Sequence, residues 1–240
     1  HKSTHHFDLV NFWLDTEPQT VFAMGALNFY GQAAAMKRGV EHFYYRSHGS
    51  DVAKDDPFAI DLESNETLKG LYLDAEDETG YIRDRSVFSD EVSIEDTMGV
   101  LVRYKNGAML SYSLNSYLPW EGYNINFNGS KGRIEYSAME RPYINAGGEM
   151  KDEGAAVYHK IRVCPTLGTP YEVEVEVREG GHGGGDPAML DDIFLPNPPA
   201  DPFSRAADHE AGIRSILTGI AANKSIASGQ PVDCDTLVRW

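Results

Sequence analysis

The sequence predicts an α+β fold, a large open, mainly antiparallel sheet with helices on one face. Strand-and-turn patterns cluster between about residues 97 and 178, and helical patterns lie at the two ends of the chain. No strand runs through a G-x-G-x-x-G turn into a helix, so no dinucleotide-binding Rossmann domain is expected within these 240 residues. The chain reads as a single domain, 1–240, with a long acidic insertion at about 41–96.

The elements follow in order. Thr4 is placed to cap a helix from about His5 to Leu14, whose Phe7, Val10 and Leu14 share one face, and Glu17-Pro18 ends it. Gln19 to Phe29 alternates Val21, Ala23, Gly25 and Leu27 on one face and reads as a strand. Tyr30-Gly31 breaks it, and Ala33 to Val40 suits a short helix. The stretch from Glu41 to Asp90 is polar, acidic and dotted with tyrosines, without a sustained period; it is either a functional insertion or a solvated surface loop.

From Thr97 the pattern turns to strands. Thr97 to Tyr104 and Ala108 to Tyr117 are joined by Asn106-Gly107, the signature of a two-residue hairpin. Asn124 to Asn128 turns through Gly129-Ser130-Lys131-Gly132 into Arg133 to Tyr136. Lys160 to Cys164 is expected to pair with Tyr171 to Val177, a strictly alternating run whose valines face a core and whose glutamates face water. Asp186 and Pro187 suit the N-cap and first position of a helix that ends near Pro196. Prolines 196, 198, 199 and 202 stiffen the connection to the longest helix, Ser204 to Ser228. Its apolar stripe is Ile213, Ile216, Leu217, Ile220 and Ala221, with Gly229 as its stop.

Composition narrows the function. Lys and Arg total 21 against 37 Asp and Glu, a net charge of −16, which argues against a nucleic-acid partner because phosphates would be repelled. Cys164 and Cys234 are too few for a disulfide framework or a cysteine zinc site; they read as two buried free thiols, with a single disulfide between them the alternative, and so low a count fits the cytosol. No run of 18 apolar residues occurs, so no membrane span is expected. The first residues have no apolar core and are not a signal peptide.

Three constellations suit chemistry. His5 and Asp8 stand at i, i+3 on the first helix, an arrangement for general acid–base work or for a structural hydrogen bond at a helix terminus. A metal site on His1, His5 and Asp8 lacks a defined partner set, so no metal is expected. Gly180 to Asp186 (GGHGGGD) lets the backbone approach a ligand closely, with His182 the one side chain inside the run. Phosphate is not the expected ligand, because the run lacks lysine and Glu179 and Asp186 flank it. Trp120 and Tyr123 around Glu121 suit stacking on a sugar ring, or belong to an ordinary edge loop. Glu210 and Arg214 read as an i, i+4 ion pair on a solvated face. No Gly-x-Ser-x-Gly elbow supports serine hydrolysis.

Together, HKSTHHFDLVNFWL, the strand region with YKNG and FNGSKGRIEY, and the tail DHEAGIRSILTGIAANKSIASGQPV resemble, in that order, the C-terminal part of the Gfo/Idh/MocA oxidoreductase family. The resemblance implies a substrate-binding and dimerisation domain. Its N-terminal partner, absent from this chain, would bind NAD or NADP, and no cofactor is expected on this part alone, which would be inactive. The family pattern Asp-x-x-x-His-x-x-Asp falls on His1, His5 and Asp8, with His1 where the first aspartate belongs. His5 would move the proton of a sugar or cyclitol hydroxyl during hydride transfer, with His1 and Asp8 beside it. His182, Trp120, Tyr123 and Asp186 would contact the substrate. The GGHGGGD run also resembles the His-Gly-Gly loop of the family's NAD-dependent glycosidases, and a non-catalytic carbohydrate-binding or dimer-forming module is the third reading. The expected partners are a small sugar-like molecule and a second copy through the sheet. The chain begins where the family's catalytic motif begins, so it reads as one domain of a protein of about 350–400 residues.

Overall fold

The computed structural model describes residues 2–141, 158–175 and 181–238. In chain order the helices are α1 (Lys2–Leu14), α2 (Gln32–Lys37), α3 (Glu66–Leu68), α4 (Glu76–Thr79), α5 (Gly181–Phe194) and α6 (His209–Ser228). The strands are β1 (Pro18–Ala26), β2 (Thr97–Tyr104), β3 (Met109–Asn115), β4 (Glu121–Gly129), β5 (Gly132–Arg141), β6 (Tyr158–Pro165), β7 (Tyr171–Val173) and β8 (Val232–Asp233). The α+β, antiparallel character expected from the sequence is present, with the strands divided between two four-stranded sheets, β3-β2-β1-β8 and β4-β5-β6-β7. The chain falls into two compact units, His1–Phe43 with Val87–Ser116 and Ala200–Trp240, and Tyr44–Ser86 with Tyr117–Pro199.

The first unit holds the first sheet and its helices. Phe7 and Val10 of α1, Val21 and Ala23 of β1, Val100, Val102 and Tyr104 of β2, and Ala221 and Ala222 of α6 form its core. These are the period-2 and period-3.6 faces that the sequence marks as apolar. The helix α1 starts at Lys2, so Thr4 lies inside it and is not its cap. The apolar face at Phe7, Val10 and Leu14 anchors the helix, and the preceding turn continues in the same conformation.

The burial pattern of α6 corrects the predicted stripe. Asp208 caps the helix by accepting from the Ala211 amide at 2.9 Å, so the helix begins at His209 and not at Ser204. Its buried residues are Ser215, Leu217, Thr218, Ala221, Ala222 and Ser225, while Ile216 and Ile220 are exposed. Small side chains let the helix approach β1 closely, and the Ser225 hydroxyl accepts from the Ala23 amide at 2.9 Å. At Gly25 of β1 a Cβ would stand 3.1 Å from Ile226 Cδ1, which measures how near the helix lies.

The β2–β3 hairpin also differs from expectation. Gly107 has φ 90° and donates to the Tyr104 carbonyl at 3.0 Å, while the Tyr104 amide donates to the Ala108 carbonyl at 2.9 Å. The loop is therefore Lys105-Asn106-Gly107, three residues long. A two-residue type I′ turn needs positive φ at both central residues, and here only the glycine adopts it.

In the second unit, β5 is paired on both sides. Tyr123 faces Ala138, Ile134 faces Val163, and Ile161 of β6 faces Val173 of β7. The valine-inward expectation for β7 does not hold over its described residues. Tyr171, Glu172 and Val173 are all exposed, because β7 is a three-residue edge strand. Val177 lies outside the described residues. The insertion is organised by charge. The guanidinium of Arg46 binds the carboxylates of Glu76 and buried Asp84, the latter at 2.7 Å from Oδ1, and the Tyr44 hydroxyl donates to Asp56 at 2.5 Å. Both cysteines are free, Cys234 buried and Cys164 only partly so, since it lies on β6 of the second sheet. Among the described residues no helix is long and apolar enough to cross a membrane.

Candidate functional site

The residues marked by the sequence fall in both units. In the first, α1 carries His5 and Asp8. His5 is exposed and Asp8 half-buried, and no hydrogen bond joins them among the described residues. His1 lies outside the described residues. The histidine that the fold engages is His6, whose Nδ1 lies 2.9 Å from the Tyr112 hydroxyl of β3, with the rings 5.8 Å apart. Phe7 packs against the same tyrosine ring at 5.1 Å, and burial pushes the Tyr112 phenol up to about 12. It therefore stays neutral and keeps both donor and acceptor capacity at neutral pH. His6 was missed because nothing local distinguishes it from His5. Its one sequence signal is its position next to the buried Phe7.

In the second unit, the glycine run is a tight left-handed turn. His182, Gly183 and Gly184 have φ values of 51°, 63° and 85°, after which the chain enters the right-handed part of α5. The glycines adopt this conformation readily, whereas a histidine there is held against its preference. The turn brings His182 Nδ1 to 2.9 Å from Asp186 Oδ1. Asp186 is thus a partner of His182, and no capping bond from it to the helix is seen among the described residues. With Nδ1 engaged by the carboxylate, Nε2 is the ring's remaining polar atom, and 59% of the side chain is exposed. This is the geometry of a histidine whose tautomer is held by a carboxylate.

Trp120 stands half-buried just before β4, and Tyr123 lies within β4. The Tyr123 hydroxyl is 3.4 Å from that of Tyr136 on β5, which is 2.9 Å from His159 Nδ1 on β6. The Tyr136 and His159 rings are nearly parallel, at 7°, and Tyr123 meets Tyr136 edge-on at 5.5 Å. Burial, then the neighbouring Tyr136, raises the Tyr123 pKa above the ordinary phenol range. Tyr136 and His159 complete a polar row across three strands that local patterning does not reveal. The strand register creates it.

A nicotinamide dinucleotide needs a cradle of backbone amides for its pyrophosphate. The glycine-rich turn at the start of α5 does not fit that role, because it holds the Asp186 carboxylate against His182, which would repel phosphate. Among the described residues no group of three or more His, Cys, Asp or Glu side chains is arranged to hold a metal ion.

Comparison with known proteins places the chain. A family model described as "Oxidoreductase family, C-terminal alpha/beta domain" matches residues 1–234. The chain is 36% identical over 251 aligned residues to "Putative oxidoreductase YteT" of Bacillus subtilis (strain 168), covering 97% of this chain and 54% of that protein. In fold it is similar to the super-repressor mutant of Gal80p from Saccharomyces cerevisiae, with a TM-score of 0.52 and 11% identity over 100% of this chain and 50% of that one. It is also similar to a "putative nadph-dependent oxidoreductase" from Desulfitobacterium hafniense, with a TM-score of 0.51 and 14% identity over 98% and 47%. At such identities the two structures speak to fold alone. The chain spans about half the length of the relatives it matches. The family match over nearly its whole length, on strands paired antiparallel beneath α1 and α6, makes this chain a member of the Gfo/Idh/MocA oxidoreductase family, corresponding to its C-terminal α/β domain.

Proposed function

We propose that this chain is the substrate domain of a nicotinamide-dependent oxidoreductase that oxidises a hydroxyl of a sugar or cyclitol. The observation that carries the reading is the family match over residues 1–234. In the whole protein NAD or NADP would be held outside this chain and would accept the hydride. Within it, exposed His5 on α1 would take the hydroxyl proton, with Asp8 one helical turn further on, and His1, which lies outside the described residues, would assist as the third member of the motif. The His182–Asp186 pair, Trp120 and Tyr123 would contact the ring. The exposed Ile134, Tyr171 and Val173 of the second sheet suit a homo-oligomer through that face, and two free thiols fit the cytosol.

The test uses the full-length protein. Titration with NADH and NADPH by fluorescence is expected to show saturable binding, and His5→Ala is expected to lower kcat by about 100- to 10,000-fold with folding retained. Failure of both nicotinamides to bind would overturn the reading. A variant with undiminished turnover would remove His5 from it.

A second reading is favoured by the left-handed turn that presents His182. A redox-assisted glycosidase would pass a hydride from a sugar carbon to NAD, lose the neighbouring, now acidic, proton and the aglycone by elimination, add water across the resulting double bond and return the hydride to the carbonyl. Release from an activated glycoside with catalytic NAD and no net NADH would select this reading.

A further inference from the structure

We infer that Tyr112 of β3 is a positioning residue: through His6 it fixes the first turn of α1, and with it the direction in which His5 leaves the helix. The inference rests on the proposed role of His5 as the group that moves the hydroxyl proton.

The helix α1 is held unevenly along its length. From Phe7 onward its apolar side chains, Phe7, Val10 and Leu14, are set in or against the core of the first unit. The first N–H groups of a helix have no carbonyl partner within it, so its opening turn frays unless something ties it. In α1 no acidic side chain stands in that turn to offset the positive end of the helix dipole. His5 sits there. It is exposed, and among the described residues neither it nor Thr4 makes a side-chain hydrogen bond, ion pair or ring contact. The direction of the His5 imidazole is therefore set by the backbone that carries it.

Tyr112 supplies the tie. Its hydroxyl lies 2.9 Å from His6 Nδ1, and its ring packs on that of Phe7 at 5.1 Å. Burial raises the pKa of the phenol and the Ser3 hydroxyl pulls the other way, which places Ser3 beside it as well. Ser3, His6 and Phe7 stand at i, i+3 and i+4 on one helix face, so one side chain of the sheet holds the opening turn and the start of the next. Tyr112 is itself fixed, because β3 is paired with β2 and Tyr112 stands opposite buried Val100. The contact survives either state of the His6 ring: a neutral Nδ1 accepts from the phenol, and a protonated one donates to its oxygen. His6 spans to the sheet, and His5, the next residue round the helix, is turned to solvent. Proton transfer needs the base within hydrogen-bond reach, and a misplacement of about 1 Å can cost about 100-fold in rate.

The experiment uses the full-length protein with labelled histidines. Tyr112→Phe removes the hydroxyl and keeps the ring on Phe7. It is expected to change the His5 imidazole NMR signals, to leave those of His182 unchanged, and to hold Tm within about 4 °C of the wild type. Exchange of the His6 and Phe7 amides should become about 2- to 10-fold faster. Turnover is measured on the alcohol the wild type oxidises, sought among D-glucose, D-galactose, D-xylose and myo-inositol. Tyr112→Phe should lower kcat by about 10- to 100-fold with KM little changed. His6→Leu should act in the same way, and His6→Asn, whose amide can stand where Nδ1 stands, should recover most of the loss. Added to His5→Ala, Tyr112→Phe should lower turnover no further. Unaltered His5 signals in Tyr112→Phe, or a loss that persists in full on top of His5→Ala, would each overturn the inference. So would no recovery in His6→Asn. If His5→Ala loses turnover while Tyr112→Phe keeps it, the inference alone fails; if His5→Ala keeps it, the proposed role of His5 fails first.

Discussion

His182 Nδ1 and Asp186 Oδ1 lie 2.9 Å apart across a turn in which His182 itself is left-handed. For a residue with a Cβ this conformation costs roughly 1–2 kcal/mol. Glycine, which occupies the next three positions, would relieve it. A strained histidine among glycines, held by a carboxylate four residues on, is the arrangement in which stability and function separate. His182→Gly is therefore expected to leave Tm unchanged or raised while substrate turnover by the full-length protein falls. Thermal unfolding and steady-state kinetics on the same preparation check this; a marked fall in Tm would mean that the pair serves the fold.

Asp96 ties the end of β1 to the start of β2. Its carboxylate accepts from the amides of Asn28, Phe29 and Tyr30 at 2.9, 2.7 and 2.8 Å, and from the Thr97 hydroxyl at 2.9 Å. Burial, the largest single influence, pushes its pKa up, but the three amides and the hydroxyl together outweigh it, and the net shift is downward. A folded pKa below the unfolded one means that Asp96 stabilises the protein above the ordinary carboxylate range. That contribution is lost as pH falls through the folded value. Asp96→Asn is expected to cost about 1–3 kcal/mol at neutral pH. In urea unfolding, the gap between the two proteins should narrow below the ordinary aspartate value, about pH 4. A gap independent of pH would sink the assignment.

The Ser225 hydroxyl accepts from the Ala23 amide within the core of the first unit. Ser225→Ala keeps the close approach of α6 to β1 but leaves a buried amide unpaired, at a cost of about 1–3 kcal/mol. Ser225→Leu should cost at least as much through overpacking. Chemical denaturation of the two variants measures both. A neutral Ser225→Ala would mean that the strand amide finds another partner.

Much of the architecture was legible because it is local. Alternation in β2 and β4, the turn at Ser130-Lys131 and the 3.6-residue spacing of Phe7, Val10 and Leu14 depend on the backbone's own periods. The expectation for α6 failed for a different reason. Counting large apolar residues picks Ile216 and Ile220, whereas a helix lying close on a strand buries small ones. In the candidate site, His182 and Asp186 are near in sequence and their partnership was within reach. Tyr136 and His159 were not, because their meeting depends on the register of β5 against β6.

By itself the sequence determined the α+β class, the antiparallel pairing and the ordered motifs that mark the family, all set by local periodicity and by residue identity. Only the tertiary structure decided that His6 meets Tyr112 106 residues away, that Ser225 binds Ala23 across 202, and that Asn11 is buried with its amide unpaired. Such contacts depend on how separately formed elements close on one another. That closure is chosen by packing and hydrogen-bond satisfaction over the whole unit, and no short stretch of sequence carries it.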